Sequence, residues 1–520
     1  MIASTRLIAF TCLLVLHVGP RKKDSNPFDT VKTNAGLISG TTNTDGDIHI
    51  FKGVPFAAPP VGHLRWQKPQ PVKPWDAVRK CDAFGASPVQ DKPVPFSMWS
   101  KEFLIPDEPI SEDCLYLNVW TGAKSPTEKR PVIVWIYGGG FSSGGSGCPI
   151  YDGAAMAKKG IVFVSINYRV GIFGFFAHPE LTKESGNNAS GNYGLMDQVA
   201  ALQWVQKNIA AFGGDKNNVT IAGQSAGSMS VNCLVASPLT KNLFQKAIAE
   251  SGATVISGIL RPNTGLKEAE EDGIKTASAL NASSLDALRN ISADQILNAP
   301  QKLRGPVVDG YVLPAAVKNI FAAAKENKVS LLTGWNENEG LFFGDIKDAE
   351  DFKKDALKDY GSSVSTFLKN YPASNDSEAA VSQMNLSRDM IFGVQNYIWA
   401  NMQSDHGSTV YVYRFARKVP ATGEYVKYGA FHTGEVPYAY NNLSFVNRPW
   451  LQIDWQLANT MSSYWANFAA TGNPNGKDLP VWPNYDTKDK MIMVLDQKPA
   501  SKKLPDAAAL DFLFTKMNGD

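Results

Sequence analysis

Residues 218–231 read Asn-Val-Thr-Ile-Ala-Gly-Gln-Ser-Ala-Gly-Ser-Met-Ser-Val, a β-branched run that passes through Gly-x-Ser-x-Gly into small and apolar residues. This order predicts a strand, a sharp turn and a helix. Gly223 and Gly227 let the backbone bend and let the strand and helix approach, which leaves the Ser225 hydroxyl exposed. The helix would direct its unpaired N–H groups and its positive dipole end toward an oxyanion beside Ser225. In that context Ser225 is a candidate nucleophile, whereas the motif alone, among 43 glycines, would be only a small-residue turn.

The chain is long and apolar enough to bury a large core. Its 520 residues are 44% hydrophobic, and an α/β fold with insertions around one sheet reaches this size. We therefore expect a single domain over residues 33–515. A net charge of +2 with 19% charged residues gives no basic field, so no nucleic-acid partner is expected.

The first 20 residues predict a secretory signal peptide. Arg6 precedes an apolar run over residues 7–18 that is short for a membrane span. We expect a secreted or periplasmic protein without a stable membrane span. Positive charges at residues 21–23 resist translocation, so an uncleaved N-terminal anchor is the alternative.

The five cysteines form no recognisable metal motif. Cys12 lies in the predicted signal peptide, and no pair has the Cys-x-x-Cys spacing of a zinc or thioredoxin site. We therefore expect neither a metal nor another cofactor.

Apolar runs around residues 218–231 predict the sheet. Three runs with little alternation are typical of strands buried on both faces, and they lie at residues 115–120, 132–136 and 161–166. Apolar residues then recur every three or four positions over 195–212, which indicates an amphipathic helix. This order predicts an α/β fold with a large, mostly parallel central sheet flanked by helices. An Asp45-Gly46 hairpin predicts an antiparallel edge, and helical stretches after residue 265 predict insertions that form the pocket.

A serine nucleophile needs a base, and histidine has the appropriate pKa for that role. Hydrolases with this strand–turn–helix carry the acid and then the histidine after the serine, which leaves His406 and His432. His406 lies in a polar turn before a predicted strand at 410–415. His432 follows that strand, where parallel sheets carry their sites, so His432 is favoured.

The acid should follow an earlier strand end. A predicted strand at 329–333 leads into Gly-Trp-Asn-Glu-Asn-Glu-Gly at 334–340, which contains Glu337 and Glu339. Either carboxylate could orient the imidazole, and either could be a solvated loop charge. The chemistry of the residues leaves both open.

A glycine-rich loop follows the predicted strand at 132–136. Residues 138–140 are all glycine, and only glycine lets the main chain pass so close to a substrate carbonyl. The loop lacks the Gly-Lys-Ser/Thr ending of a phosphate loop, so oxyanion donors are the favoured interpretation.

Further motifs extend over nearly the whole chain after residue 33. They include Phe-Lys-Gly-Val-Pro-Phe-Ala-Ala-Pro-Pro at 51–60, Ser-Glu-Asp-Cys-Leu-Tyr-Leu-Asn-Val at 111–119, Asn-Tyr-Arg-Val-Gly at 167–171, Gly-Asn-Tyr-Gly-Leu at 191–195, Phe-Gly-Gly-Asp at 212–215 and Asn-Glu-Gly at 338–340. With the serine turn, the glycine loop and His432, this set resembles the type-B carboxylesterase family of the α/β-hydrolase fold. That family includes cholinesterases and bacterial p-nitrobenzyl esterases, so the resemblance implies hydrolysis of small-molecule esters through an acyl-enzyme.

The resemblance also implies a role for each site residue. It makes Ser225 the nucleophile, Glu339 the acid and His432 the base, which breaks the tie between the two glutamates. The oxyanion hole would consist of the N–H groups of Gly139, Gly140 and Ala226. The same resemblance pairs Cys81 with Cys114 in a disulfide, while Cys148 and Cys233 would be small buried residues.

Two positions depart from the family pattern. Many members carry Glu before the nucleophile, whereas this chain has Gln224. Cholinesterases hold a cation-binding Trp in the disulfide loop, and here Trp99 stands in a different setting, so packing is favoured over cation–π recognition. The competing functional hypothesis is a catalytically silent adhesion protein of this fold, but such proteins typically lose a triad residue that this chain retains.

Overall fold

The computed structural model describes residues 27–107, 109–256, 264–300, 305–341 and 345–518. The predicted signal peptide, Cys12 and the charges at 21–23 lie outside these ranges. In the described residues, no helix is both long and apolar enough to cross a membrane.

An eleven-stranded sheet forms the centre of the described chain, in the order β14-β13-β12-β11-β10-β9-β7-β8-β6-β4-β3, and a small sheet has the order β1-β2-β5. The strands are β1 Val31–Lys32, β2 Leu37–Ser39, β3 Thr41–Thr42, β4 His49–Pro55, β5 Arg79–Lys80, β6 Tyr116–Thr121, β7 Arg130–Ile136, β8 Val162–Ile166, β9 Gly214–Gln224, β10 Lys246–Glu250, β11 Ser330–Asn336, β12 Val410–Phe415, β13 Met491–Leu495 and β14 Ala500–Lys503.

The middle of the large sheet is parallel. Strands β8, β7, β9, β10, β11, β12 and β13 pair in parallel, and the remaining pairs are antiparallel. Because parallel strands end at one edge, the loops after β7, β9, β10, β11 and β12 all meet there. The predicted α/β-hydrolase architecture and the antiparallel edge formed by β3 and β4 are confirmed.

Sixteen α-helices accompany the strands in the described ranges. They are α1 Ala154–Lys158, α2 Gly171–Phe175, α3 Pro179–Glu184, α4 Tyr193–Asn208, α5 Ala226–Ala236, α6 Leu266–Ala279, α7 Leu285–Arg289, α8 Ala293–Leu297, α9 Val317–Ala322, α10 Ala349–Tyr360, α11 Val364–Asn370, α12 Asp376–Arg388, α13 Val394–Asp405, α14 Val436–Ala439, α15 Gln452–Thr471 and α16 Ala507–Met517. A π-helical turn, Asp389–Gly393, joins α12 to α13.

One central strand, β10, was not predicted from the sequence. Strand β10, Lys-Ala-Ile-Ala-Glu, is completely buried between β9 and β11. It has a single β-branched residue, and its alanines and charged ends favour helix over strand. Pairing on both sides overrides that local preference.

The predicted disulfide between Cys81 and Cys114 is corrected by the structure. All four cysteines in the described ranges are buried free thiols. The N–H of Cys81 donates to the Ser39 carbonyl at 2.7 Å, which holds this residue beside β2. Cys114 instead lies where the charges of Arg169 and Asp197 act on its thiol. Burial raises the pKa of both thiols.

Candidate active site

Ser225 occupies a strained turn between β9 and α5. Its backbone has φ 57° and ψ −123°, a conformation that L-residues rarely adopt outside functional sites. The Ser225 N–H donates to the carbonyl of Glu250, the last residue of β10, at 2.8 Å. A Cβ on Gly227 would lie 2.0 Å from the Ile136 carbonyl oxygen, so only glycine lets α5 begin against the end of β7. The turn thus holds the serine at the carboxyl edge of the sheet.

His432 and Glu339 are brought together beside that turn. The imidazole Nδ1 donates to Glu339 Oε2 at 2.8 Å, and both side chains are buried. Glu339 Oε1 accepts the Asn336 N–H at 2.8 Å, which fixes the carboxylate after β11. This bond to Nδ1 leaves Nε2 as the imidazole nitrogen that can accept a proton.

The alternative acid and base have structural partners elsewhere. Glu337 accepts from Arg414 at 2.7 Å and from Arg388 at 3.3 Å. Burial works to raise the pKa of Glu337, but these two guanidinium groups outweigh it and the pKa is lowered. His406 ends α13 and its Nδ1 lies 2.6 Å from Glu326 Oε1. In the part of the chain that the structure describes, neither Glu337 nor His406 is hydrogen-bonded to His432.

The glycine loop after β7 passes directly beside the serine. A Cβ on Gly138 would lie 3.0 Å from Ser225 Cβ and 2.6 Å from the Gln224 carbonyl oxygen. Gly139 has φ 113° and Gly140 has φ 62°, both in the region that favours glycine. Ala226 is the first residue of α5, so its N–H lies in the first turn of the helix and points out of its N-terminus.

Gln224 contacts the imidazole from the serine side. Its amide nitrogen lies 3.3 Å from His432 Nε2 and 3.4 Å from Nδ1. The Gln224 amide oxygen accepts from Thr433 Oγ1 at 3.4 Å, and Thr433 Oγ1 accepts from Trp99 Nε1 at 3.1 Å. In the described residues no hydrogen bond joins Ser225 to His432, and such bonds often tighten only in the substrate complex.

Two aromatic side chains border the imidazole. The ring of Phe392 is stacked on His432, and the Trp99 ring lies nearly perpendicular to the imidazole at a centroid distance of 6.3 Å. Trp99 therefore packs against the imidazole, and it also lines the cavity. The contribution of Phe392 had no sequence signal, because the π-helical turn that carries it leaves no recognisable pattern.

Two further carboxylates are buried near the site, and neither is paired with a cation from the described residues. Glu250 Oε1 accepts from Tyr440 and Trp465 at 2.9 and 2.8 Å, and Glu435 accepts from Asn336. Burial raises the pKa of Glu250 to about 7. Burial, then the charges of Glu250 and Glu339, raise the pKa of Glu435 well above its usual value. Among the described residues, Glu250 Oε2 and Glu435 Oε1 have no hydrogen-bond partner.

These groups open into one large cavity. Ser225, His432, Gly139, Gly140 and Ala226 all line a cavity of about 1420 Å³. Typical ligand pockets measure about 300–1,000 Å³, so this cavity could hold a substrate larger than most drug-sized molecules.

The comparisons with known proteins agree with this arrangement. The model of the carboxylesterase family matches residues 28–513. The chain belongs to the carboxylesterase family. Para-nitrobenzyl esterase of Bacillus subtilis (strain 168) is 35% identical over 514 residues, covering 93% of this chain and 98% of the relative.

Two further relatives are esterases of different origin. Fumonisin B1 esterase of Sphingopyxis macrogoltabida is 34% identical over 478 residues, with 88% and 85% of the two chains covered. Liver carboxylesterase 1 of Oryctolagus cuniculus is 34% identical over 505 residues, with 88% and 87% covered. This carboxylesterase family member is a carboxylic ester hydrolase.

Proposed function

We propose that the protein hydrolyses small-molecule carboxylic esters through an acyl-enzyme formed on Ser225. Ser225 Oγ attacks the ester carbonyl while His432 Nε2 takes its proton. The imidazolium then gives that proton to the departing alcohol. Glu339 holds the imidazole orientation and stabilises its positive charge throughout.

In the second half of the reaction water takes the place of the alcohol. His432 removes a proton from water, the resulting attack forms a second tetrahedral intermediate, and the proton returns to Ser225 Oγ as the acid leaves. We assign the N–H groups of Gly139, Gly140 and Ala226 to the negative oxygen of both intermediates. Glycine φ values and the start of α5 support this assignment, because both suit main-chain donors.

The observation that carries the proposal is the 2.8 Å bond between buried His432 and Glu339 beside the strained turn of Ser225. A catalytically silent adhesion protein would not need this arrangement, and the similar proteins reported above are named as esterases. Those names support an ester substrate.

Paired variants test the assignments of base and acid. His432→Ala should lower kcat by several orders of magnitude on a soluble 4-nitrophenyl ester, and Glu339→Gln should lower it by at least about a hundredfold. The matched controls His406→Ala and Glu337→Gln should stay within about tenfold, provided that circular dichroism shows them folded. A folded, inactive His406→Ala protein beside an active His432→Ala protein would overturn the assignment.

The apolar run at residues 7–18 supports a second proposal, that the protein is secreted or periplasmic. N-terminal sequencing of the protein recovered from each cell fraction tests this. Recovery of the intact N-terminus from the cytosol alone would contradict export.

A further inference from the structure

Large apolar side chains are concentrated at the mouth of the cavity. Fourteen of them are conspicuously exposed in the described chain, and five of these line the cavity with exposures between 51% and 68%. They come from four separate segments and are Val94, Phe96, Ile346, Val381 and Val426. Side chains that both line a cavity and remain more than half exposed lie at its opening. We call these five residues the apolar rim.

The apolar rim has the features of a ligand-binding surface. Isolated exposed apolar residues are normal on soluble proteins, but several that converge on one opening mark a binding surface. The rim is continuous with the cavity that contains Ser225 and His432. A substrate whose reacting carbonyl lies at Ser225 could therefore extend outward and cover it.

Positive charge lies on the same opening. Lys418 and Lys427 line the cavity with exposed side chains, and Lys427 is next to Val426 of the rim. Lys92 also lines the cavity, beside Asp91, which carries the opposite charge. The charge of the remaining lining carboxylate, Glu337, is offset by Arg388 and Arg414. The balance at the mouth is positive.

We propose that the mouth is a subsite for the distal part of an amphiphilic anionic ester. This inference rests on the proposed function and adds a substrate class to it. The apolar chain lies over the rim, and a carboxylate or other anion at its far end meets Lys418 and Lys427. Gln224 is neutral, so no carboxylate at that position next to the serine favours a cationic substrate instead.

Pairs of matched esters test the proposed class of substrate. The 4-nitrophenyl esters of acetic, decanoic and sebacic acids, the last as its mono-ester, differ in chain length and in a terminal carboxylate. A second pair carries the decyl or carboxydecyl chain on the alcohol side of an acetate. Rates are compared below the solubility limits, and the long esters are also assayed above them. In at least one of the two pairs, kcat/KM should be about 3–10-fold higher for the carboxylate ester at low salt and should converge on the neutral ester at high salt.

Two multiple variants separate the charge from the apolar contact. Lys418→Gln with Lys427→Gln should remove the carboxylate preference, so that the kcat/KM ratio of sebacate mono-ester to decanoate falls to about one. Val94→Ser with Phe96→Ser and Val426→Ser should lower the decanoate-to-acetate ratio of kcat/KM by about tenfold, because the chain loses apolar contact. Val481→Ser and Lys477→Gln, exposed residues that do not line the cavity, are the matched controls and should leave every ratio unchanged.

Three outcomes would overturn the inference. The first is that neither ester pair shows a carboxylate preference. The second is that the double lysine variant keeps the preference, or that the control variants lose it equally. The third is that the long esters react only above their solubility limits, which would assign the rim to an ester–water interface. Absence of hydrolysis of any ester, including the acetate, would instead contradict the proposed function itself.

Discussion

The ring of Phe392 is stacked on the imidazole of His432, with centroids 4.3 Å apart and an interplanar angle of 17°. Phe392 belongs to the π-helical turn Asp389–Gly393, and such turns occur frequently at functional sites. The turn is anchored from below, because Asp389 accepts from Arg388 at 2.7 Å and from Tyr371 at 2.9 Å. The π-helical turn thus positions an aromatic face against the catalytic histidine.

Removing that face should weaken catalysis in a pH-dependent way. An aromatic face stabilises a nearby cation by about 0.5–2 kcal/mol, so Phe392→Leu should lower kcat by about 3–10-fold and move the acid limb of the kcat/KM profile to lower pH. Phe392→Tyr keeps an aromatic face, so both kcat and the position of the acid limb should stay close to those of the parent protein. A loss of activity without movement of the acid limb would mean that Phe392 acts through packing alone.

Gln224 gives a second prediction, because its amide nitrogen contacts the same imidazole. In Gln224→Glu a carboxylate would stabilise the protonated ring, so the acid limb should move to higher pH. The ratio of choline-ester to neutral-ester hydrolysis should rise as well. The measurement compares two esters of one acyl group, and the surface change Gln497→Glu is the control. If neither the acid limb nor the ratio of the two esters changes, the side chain at position 224 has no electrostatic effect on the imidazole.

The buried carboxylates predict how stability depends on pH. The folded-state pKa of Glu250, about 7, exceeds the usual carboxyl pKa of the unfolded chain, so the folded protein binds more protons between about pH 4.5 and 7. Stability conferred by the protonated form is complete at low pH and is lost as pH rises through this window. Glu250→Gln cannot ionise and keeps an acceptor for Tyr440 and Trp465.

We therefore expect Glu250→Gln to be more stable than the parent at pH 8, by up to about 3 kcal/mol, with a difference that shrinks toward pH 5. Urea unfolding at both pH values measures it, and the exposed change Glu271→Gln should have little effect. A variant that is less stable than the parent at pH 8 would indicate that the folded protein stabilises the ionised carboxylate of Glu250 and does not raise its pKa.

The sequence could locate those site residues whose geometry follows from the pattern of their immediate neighbours. The serine turn combines strand, glycines and helix in one stretch, and the glycine loop follows a run of five buried residues. Glu337 and Glu339 could not be separated by chemistry, because their difference lies in distant partners, Arg414 for one and His432 for the other. Such contacts depend on strand order, which local pattern does not encode.

Other structural features could not be predicted either, because they also depend on contacts between distant parts of the chain. Strand β10 reads as helix and becomes a strand only because β9 and β11 pair with it on both sides. The stacking of Phe392 on His432 needs a π-helical turn packed against the end of the sheet. The thiols of Cys81 and Cys114 were paired by resemblance, but both are free in the fold.

The most direct test of the account is covalent labelling of the native protein with a serine-directed fluorophosphonate, followed by intact mass and peptide mapping. Only an activated nucleophile reacts readily with such a reagent, so one label per chain should appear on Ser225, in step with the loss of ester hydrolysis. The His432→Ala variant should label far more slowly. Complete inactivation with the label on a different residue, or undiminished hydrolysis by Ser225→Ala, would contradict the account.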